Sequence, residues 1–185
     1  GLAIVVSGCN ELRLLDVSCC TQLTVAELRA VIGRCPALQT LNATSCSGLA
    51  DAPLHVAFAP DNGLQSIDLS HCESLTDYGL VALVGGSKHL NTLALSGCNQ
   101  LTIAGLIAAI GGCPELQKLT ANGCDGIADA QPGLSPARSD ALHELDISSC
   151  KQLTDRGLVS IASGCTPKIA IRKTTLEAPC VAASP

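Results

Sequence analysis

The 185-residue chain predicts an α/β solenoid: about seven stacked units of 26 residues, with parallel strands on a concave side and helices or loops on a convex side. Three observations predict it. Leu12, Leu38, Leu64, Leu90, Leu116 and Leu142 stand 26 residues apart. Cys20, Cys46, Cys72, Cys98, Cys124 and Cys150 share one column on the same spacing. Between each cysteine and the next leading leucine the pattern turns from alternation to helical spacing.

The elements of a unit follow in order. Leu15, Leu41, Ile67, Leu93, Leu119 and Leu145 come three places after the leading leucine, and Val17, Ala43, Leu69, Leu95, Ala121 and Ile147 two places further on. A spacing of two sends both columns to one side of a short strand and the residues between them to the other. The turn after the strand holds the cysteine, and Leu23, Leu49, Leu75, Leu101, Ile127 and Leu153 close it. In the third full unit the next segment, TDYGLVALVGG, places Leu80, Leu83 and Val84 at i, i+3 and i+4. Thr76 or Asp77 caps the start and Gly85–Gly86 ends it. A second column, Cys9, Cys35, Cys113 and Cys165, with Asp61, Ser87 and Ser139 in the other units, lies three places before the leading leucine.

Two units depart from this template. APLHVAFAP at 52–60 and QPGLSPAR at 131–138 carry prolines where a helix would run, so extended loops are expected there. Residues 168–176 start one more strand, with Lys168 and Lys173 in inward columns, which marks a C-terminal cap or edge. GLAIVVSG at 1–8 aligns with GLVALVGG at 79–86, so the chain is expected to begin inside a repeat and to be part of a longer polypeptide. The repeat domain spans 1–176 and a tail spans 177–185.

Composition narrows function. Apolar residues make up 47% of the chain, enough for a packed core without disulfide staples, and a net charge of -5 with no basic run argues against nucleic acid or an anionic membrane as partner. No apolar run reaches bilayer length, so no membrane span is expected. Ten of the twelve cysteines fall in the two repeat columns and no CxxC occurs, which favours buried thiols in a reducing compartment over zinc or disulfides. HCESLTDYGL at 71–80 resembles a reaction centre in isolation. Its Cys72, Leu75, Thr76, Asp77, Gly79 and Leu80 are nevertheless template positions, and only His71, Glu73 and Tyr78 are extra. The four histidines occupy different columns, so no Cys-His dyad or metal set forms. The serine-rich column, Ser18, Thr44, Ser70, Ser96, Asn122, Ser148 and Thr174, reads as cross-strand hydroxyl pairing rather than a nucleophile array. No catalytic residue and no cofactor are expected.

Units such as LQSIDLSHCESLTDYGLVALVGG and LHELDISSCKQLTDRGLVSIASG resemble the cysteine-containing subclass of leucine-rich repeats. The resemblance covers residues 1 to about 176 and implies a horseshoe-shaped, non-catalytic, intracellular protein-interaction module, cytoplasmic or else nuclear or ciliary. It further implies the substrate-recognition repeats of an F-box-type ubiquitin ligase receptor. No F-box pattern lies within the 185 residues, so the resemblance places it, and contact with a Skp-type adaptor, upstream. Similar repeats also serve as scaffold subunits of large assemblies such as ciliary axoneme complexes. In either role the expected site is the concave face, where Arg13, Asp16, Asn42, Asp68, His71, Lys118, Thr120, His143, Glu144 and Asp146 point away from the core. Cys19, beside the cysteine column, is expected to point outward as the more reactive thiol.

Overall fold

A computed structural model describes residues 9–50, 63–129, 138–163, 165 and 169–173. The expectations for 1–8, for the proline-rich stretches 52–60 and 131–137, and for the tail 177–185 lie outside those residues. Seven strands, Leu14–Asp16 (β1), Thr40–Asn42 (β2), Ser66–Asp68 (β3), Thr92–Ala94 (β4), Lys118–Thr120 (β5), Glu144–Asp146 (β6) and Ala170–Arg172 (β7), form one parallel sheet in chain order. The register never slips: Leu15, Leu41, Ile67, Leu93, Leu119, Leu145 and Ile171 are successive partners. Among the described residues four helices pack behind it, Val25–Arg34 (α1), Asp77–Val84 (α2), Ile103–Gly112 (α3) and Asp155–Ala162 (α4). The leucine columns fill the space between the two layers, and Leu41, Ile67, Leu93, Leu119 and Leu145 are at most 1% exposed.

The cysteine column makes a ladder of its own. Cys46, Cys72, Cys98 and Cys124 each donate Sγ–H to the carbonyl 29 residues earlier, at Val17, Ala43, Leu69 and Leu95, over 3.1 Å, and Cys150 reaches Ala121 at 3.2 Å. A thiol suits this place because it is small, apolar enough to bury and still able to satisfy a carbonyl that points into the core. Burial pushes the thiols of Cys72 and Cys124 up to about 11 and those of Cys98 and Cys113 up to about 12. Cys20 departs from the expectation set by its column: it is exposed, because it sits on the turn of β1 and no earlier turn covers it among the described residues.

The residue before each of these cysteines adopts a left-handed conformation, with φ of 60° at Cys19, 59° at Ser45, 60° at His71, 73° at Gly97, 68° at Gly123 and 61° at Ser149. The following amide closes the turn, as Cys72 N–H does on the Leu69 carbonyl at 3.3 Å. This is the position where a type II turn asks for glycine. Four of the six turns spend conformational energy to keep a side chain there.

Thr24, Thr76, Thr102 and Thr154 cap the four helices with their hydroxyls. Thr24 adds a reciprocal capping box with Glu27. The two capping candidates Thr76 and Asp77 both act, on different helices: Asp77 accepts the Thr102 amide at 2.9 Å and the Thr102 hydroxyl, at the start of the next turn's α3. Asp129 repeats this clasp on α4 through the amides of Thr154 at 2.8 Å and Gly157 at 3.1 Å. The Thr154 hydroxyl and amide hold the Asp129 carboxyl below the usual aspartate range. Gly105 leaves room for the Asp77 carboxylate, which a Cβ there would strike. Asp77→Ala is expected to lower stability by about 1 kcal/mol in a denaturant titration, the usual cost of a lost helix cap. Asp77→Asn, which keeps one acceptor, is expected to recover part of it.

Gly48 and Gly126 mark the two turns that lead into the proline-bearing stretches. A Cβ on Gly48 would lie 2.5 Å from the Thr21 carbonyl oxygen and 2.8 Å from that of Leu23. One on Gly126 would strike the Asn99 carbonyl and lie 2.6 Å from that of Leu101. Ser74 and Gln100 hold the same position in turns that continue into α2 and α3. The turns leading to the proline-bearing stretches therefore tuck more closely against their predecessors.

Candidate functional site: the outward sheet face

The outward face is built from two residues of each strand. Leu14, Thr40, Ser66, Thr92, Lys118, Glu144 and Ala170 align in one column, and Asp16, Asn42, Asp68, Ala94, Thr120, Asp146 and Arg172 in the other. Seven of the ten predicted site residues lie in these columns, and His71 sits on the turn beyond them. Arg13 and His143 are exposed but come one residue before β1 and β6, whose first outward residues are Leu14 and Glu144. Leu14 is 61% exposed and puts an apolar side chain where the sequence pattern had pointed to Arg13.

Part of the face is committed to the fold. Asp16 accepts both the amide and the hydroxyl of Ser18, at 2.9 and 2.7 Å, and Asn42 does the same for Thr44, at 3.0 and 2.6 Å. Asp68 and Asp146 accept the amides of Ser70 and Ser148. Each is an Asx turn that bends the chain out of its strand. The Ser18 hydroxyl and amide, with help from Asn42, hold the Asp16 carboxyl below the usual range. Ser18 and Thr44 thus bond two residues back in their own turn instead of pairing across strands, which replaces the hydroxyl ladder expected from sequence. A direct link between outward side chains of this column runs from the Asn42 amide to Asp16 at 3.0 Å.

The far end carries an ion cluster, Lys118 to Glu144 at 3.1 Å and Arg172 to Glu144 at 3.9 Å. At their exposure these pairs contribute little to stability and act mainly as a patterned charge surface. The middle of the face, Thr92, Ala94, Thr120, Gly97 and Gly123, is small and uncharged. His71 borders this floor. Its ring lies over Gly97, so close that a Cβ there would come 2.5 Å from Nδ1.

Other grooves are simpler. On the helix side, Tyr78, Val81, Ala104, Gly105 and Ala108 line an apolar groove of about 340 Å³ between α2 and α3, with Tyr78 68% exposed. At the start of the strands, Gln39, Gln65, Asn91, His89 and Glu115 line a polar one of about 320 Å³, where His89 meets Glu115 at 3.4 Å. Among the described residues no three His, Cys, Asp or Glu side chains group as a metal site, and no helix is long and apolar enough to cross a membrane. All described cysteines are free thiols, and Cys19 is exposed as expected.

Parallel strands in unbroken register, backed by helices and joined by a repeating thiol turn, define a one-dimensional α/β solenoid. The profile of the leucine-rich repeat matches residues 63–84 and 142–162, and the parallel sheet backed by helices has the architecture of a leucine-rich-repeat solenoid. Repeats of this class bind other proteins. Among solved structures, the crystal structure of the Rad7 and Elc1 complex in yeast is similar over 92% of this chain and 74% of that one, at 16% identity and a TM-score of 0.30, which carries no functional argument. No curated protein matches the chain.

Proposed function

We propose that the outward sheet face is a protein-recognition surface centred on His71, serving as the substrate-binding repeats of an F-box-type ubiquitin ligase receptor in a reducing intracellular compartment. The observation that carries the recognition reading is the backbone at His71. A non-glycine residue in the left-handed region costs about 1–2 kcal/mol relative to its ordinary conformation, and Gly97 and Gly123 show that glycine serves the same turn. An imidazole held there at a cost, laid over a small uncharged floor, is better explained by contact with a partner than by the fold. Arg13, Lys118, Thr120, His143 and Glu144 would surround that contact, with Asp16, Asn42, Asp68 and Asp146 chiefly shaping the turns. The ligase assignment rests on the resemblance of the cysteine-bearing repeats.

His71→Gly separates binding from folding. The variant is expected to be about as stable as the parent or up to ~1 kcal/mol more stable, because glycine relieves the left-handed strain but adds chain entropy. Its partner recovery in quantitative affinity purification from the source cells should fall severalfold. Equal recovery of every partner by parent and variant would exclude His71 as the centre. Absence of a Skp-type adaptor from the natural protein's complexes would remove the ligase reading while leaving recognition intact.

The helix-side groove favours a second reading, a scaffold subunit of a large assembly such as an axonemal complex. The whole of α3, IAGLIAAIGG, carries no charged residue, and the exposed Tyr78 stands beside it. Tyr78→Ala should then lose partners that His71→Gly retains.

A further inference from the structure

Among the described turns, His71 alone carries a long side chain at the left-handed position. We propose that Gly97 is its positioning residue: the missing side chain in the next turn seats the imidazole so that Nε2, not Nδ1, is the ring nitrogen offered to a partner, an assignment that rests on the recognition reading of this face. Cys19, Ser45 and Ser149 show that the turn accepts a side chain, so the fold alone does not call for glycine at 97. A Cβ on Gly97 would lie 2.5 Å from His71 Nδ1, 3.0 Å from Cε1 and 3.4 Å from Cγ, the first well inside ordinary contact. A Cβ on Gly123, left-handed alike, would meet nothing within 4 Å. Of the two glycines, only Gly97 is required by a neighbouring side chain.

Backbone bonds fix both ends of the contact. The His71 amide donates to the Ser96 carbonyl at 2.7 Å and the Gly97 amide to that of Asn122 at 2.9 Å, so the imidazole leaves Gly97 only by turning about its own side-chain torsions. The ring corner at Nδ1 points into the space above Gly97, and the opposite bond, between Nε2 and Cδ2, is the far side of the ring. Among the described residues the imidazole makes no hydrogen bond or ion pair, and His71 is exposed, so neither nitrogen is committed to the fold. A partner arriving from solvent therefore meets Nε2, and a hydrogen-bonding group on that partner complements it whichever tautomer the ring holds. A side chain at 97 would swing the ring off this seat while leaving the turn's backbone bonds in place.

Nuclear magnetic resonance of the 185-residue chain tests the seat without any partner. In the parent, Overhauser contacts should join the His71 ring protons to the Gly97 α-protons, and their absence would overturn the positioning role. The His71 ring resonances should shift in Gly97→Ala and stay in place in Gly123→Ala, which bears the same left-handed cost but touches no ring. Unmoved signals in Gly97→Ala, or equal shifts in both variants, would also overturn it. Recovery of the partners that His71→Gly loses tests which nitrogen is used. A glutamine amide reaches as far as Nε2 and an asparagine amide only as far as Nδ1, so His71→Gln should keep most of the recovery and His71→Asn should lose it severalfold. A purely conformational role would rank the two the other way, since asparagine tolerates left-handed backbone better. Equal recovery, or more with asparagine, would overturn the assignment of Nε2. Gly97→Ala should lose recovery as His71→Asn does. Should His71→Gly lose no partner, the recognition reading falls, while the ring contacts and shifts still decide whether Gly97 seats the imidazole.

Discussion

Raising the pH from about 8 to about 11 is expected to unfold the protein cooperatively, through its buried thiols. An ordinary cysteine titrates near 8.5, whereas burial holds Cys72 and Cys124 protonated to about 11 and Cys98 and Cys113 to about 12. The sign follows directly. Below the unfolded value both states keep their protons and the stability is complete. Above it the unfolded chain gives up protons that the folded chain retains, so stability is lost as the pH climbs towards the folded values. Each such thiol removes about 1.4 kcal/mol per pH unit in that window, and four together roughly 5 to 6. A domain typically has about 5–15 kcal/mol in total. Circular dichroism against pH should show a transition well before pH ~11, with fast alkylation of the buried cysteines appearing only across it. Cys113→Ala should make the slope of stability with pH measurably shallower, since it removes one of the most strongly shifted titrating groups. A protein that keeps its full stability to pH ~11 would show that these thiols are not buried as described.

Gly126→Ala is expected to cost on the order of 2–4 kcal/mol, a large effect for one methyl group. The methyl would be driven into the carbonyls of Asn99 and Leu101, backbone atoms that cannot rotate away. Gly48→Ala should behave alike against Thr21 and Leu23. Gly111→Ala, late in α3 with nothing within 4 Å of its new methyl, is the contrasting case. Ordinary helix propensity should make it more stable by about 0.5–1 kcal/mol. Chemical denaturation of the three variants distinguishes close approach from a general intolerance of glycine replacement, which would lower all three.

The inward columns were legible because burial imposes a period that no other pressure mimics. Every strand centre from Leu15 to Ile171 follows from it, while of the four helix-capping threonines the pattern singled out Thr76 alone. What the sequence left hidden is chemistry that acts between turns. Asp77 reads as a local cap, and only the stacking shows that its carboxylate holds Thr102 in the following turn. Asp16, Asn42, Asp68 and Asp146 read as surface residues available to a partner, because an Asx turn leaves no mark in a residue's column beyond being polar and outward. Polarity points to Arg13 as the outward residue, whereas the strand begins one residue later, at Leu14. The close approach at Gly48 and Gly126 did carry a signal: both glycines fall in the units whose convex stretch holds the prolines. The left-handed torsions at Cys19, Ser45, His71 and Ser149 had none, since the side chains there are not the ones the conformation prefers.

The thiol ladder and the aspartate clasps also bear on how the chain reaches this state. The thiol bonds span 29 residues, the clasps 25 and the sheet bonds about 26, wherever along the chain they fall. Adding turns therefore lengthens the molecule without lengthening the loops that must close, and the entropy of closing each loop stays nearly constant. Folding can start wherever one pair of turns first docks and then advance in either direction, one turn at a time, as in a one-dimensional crystal.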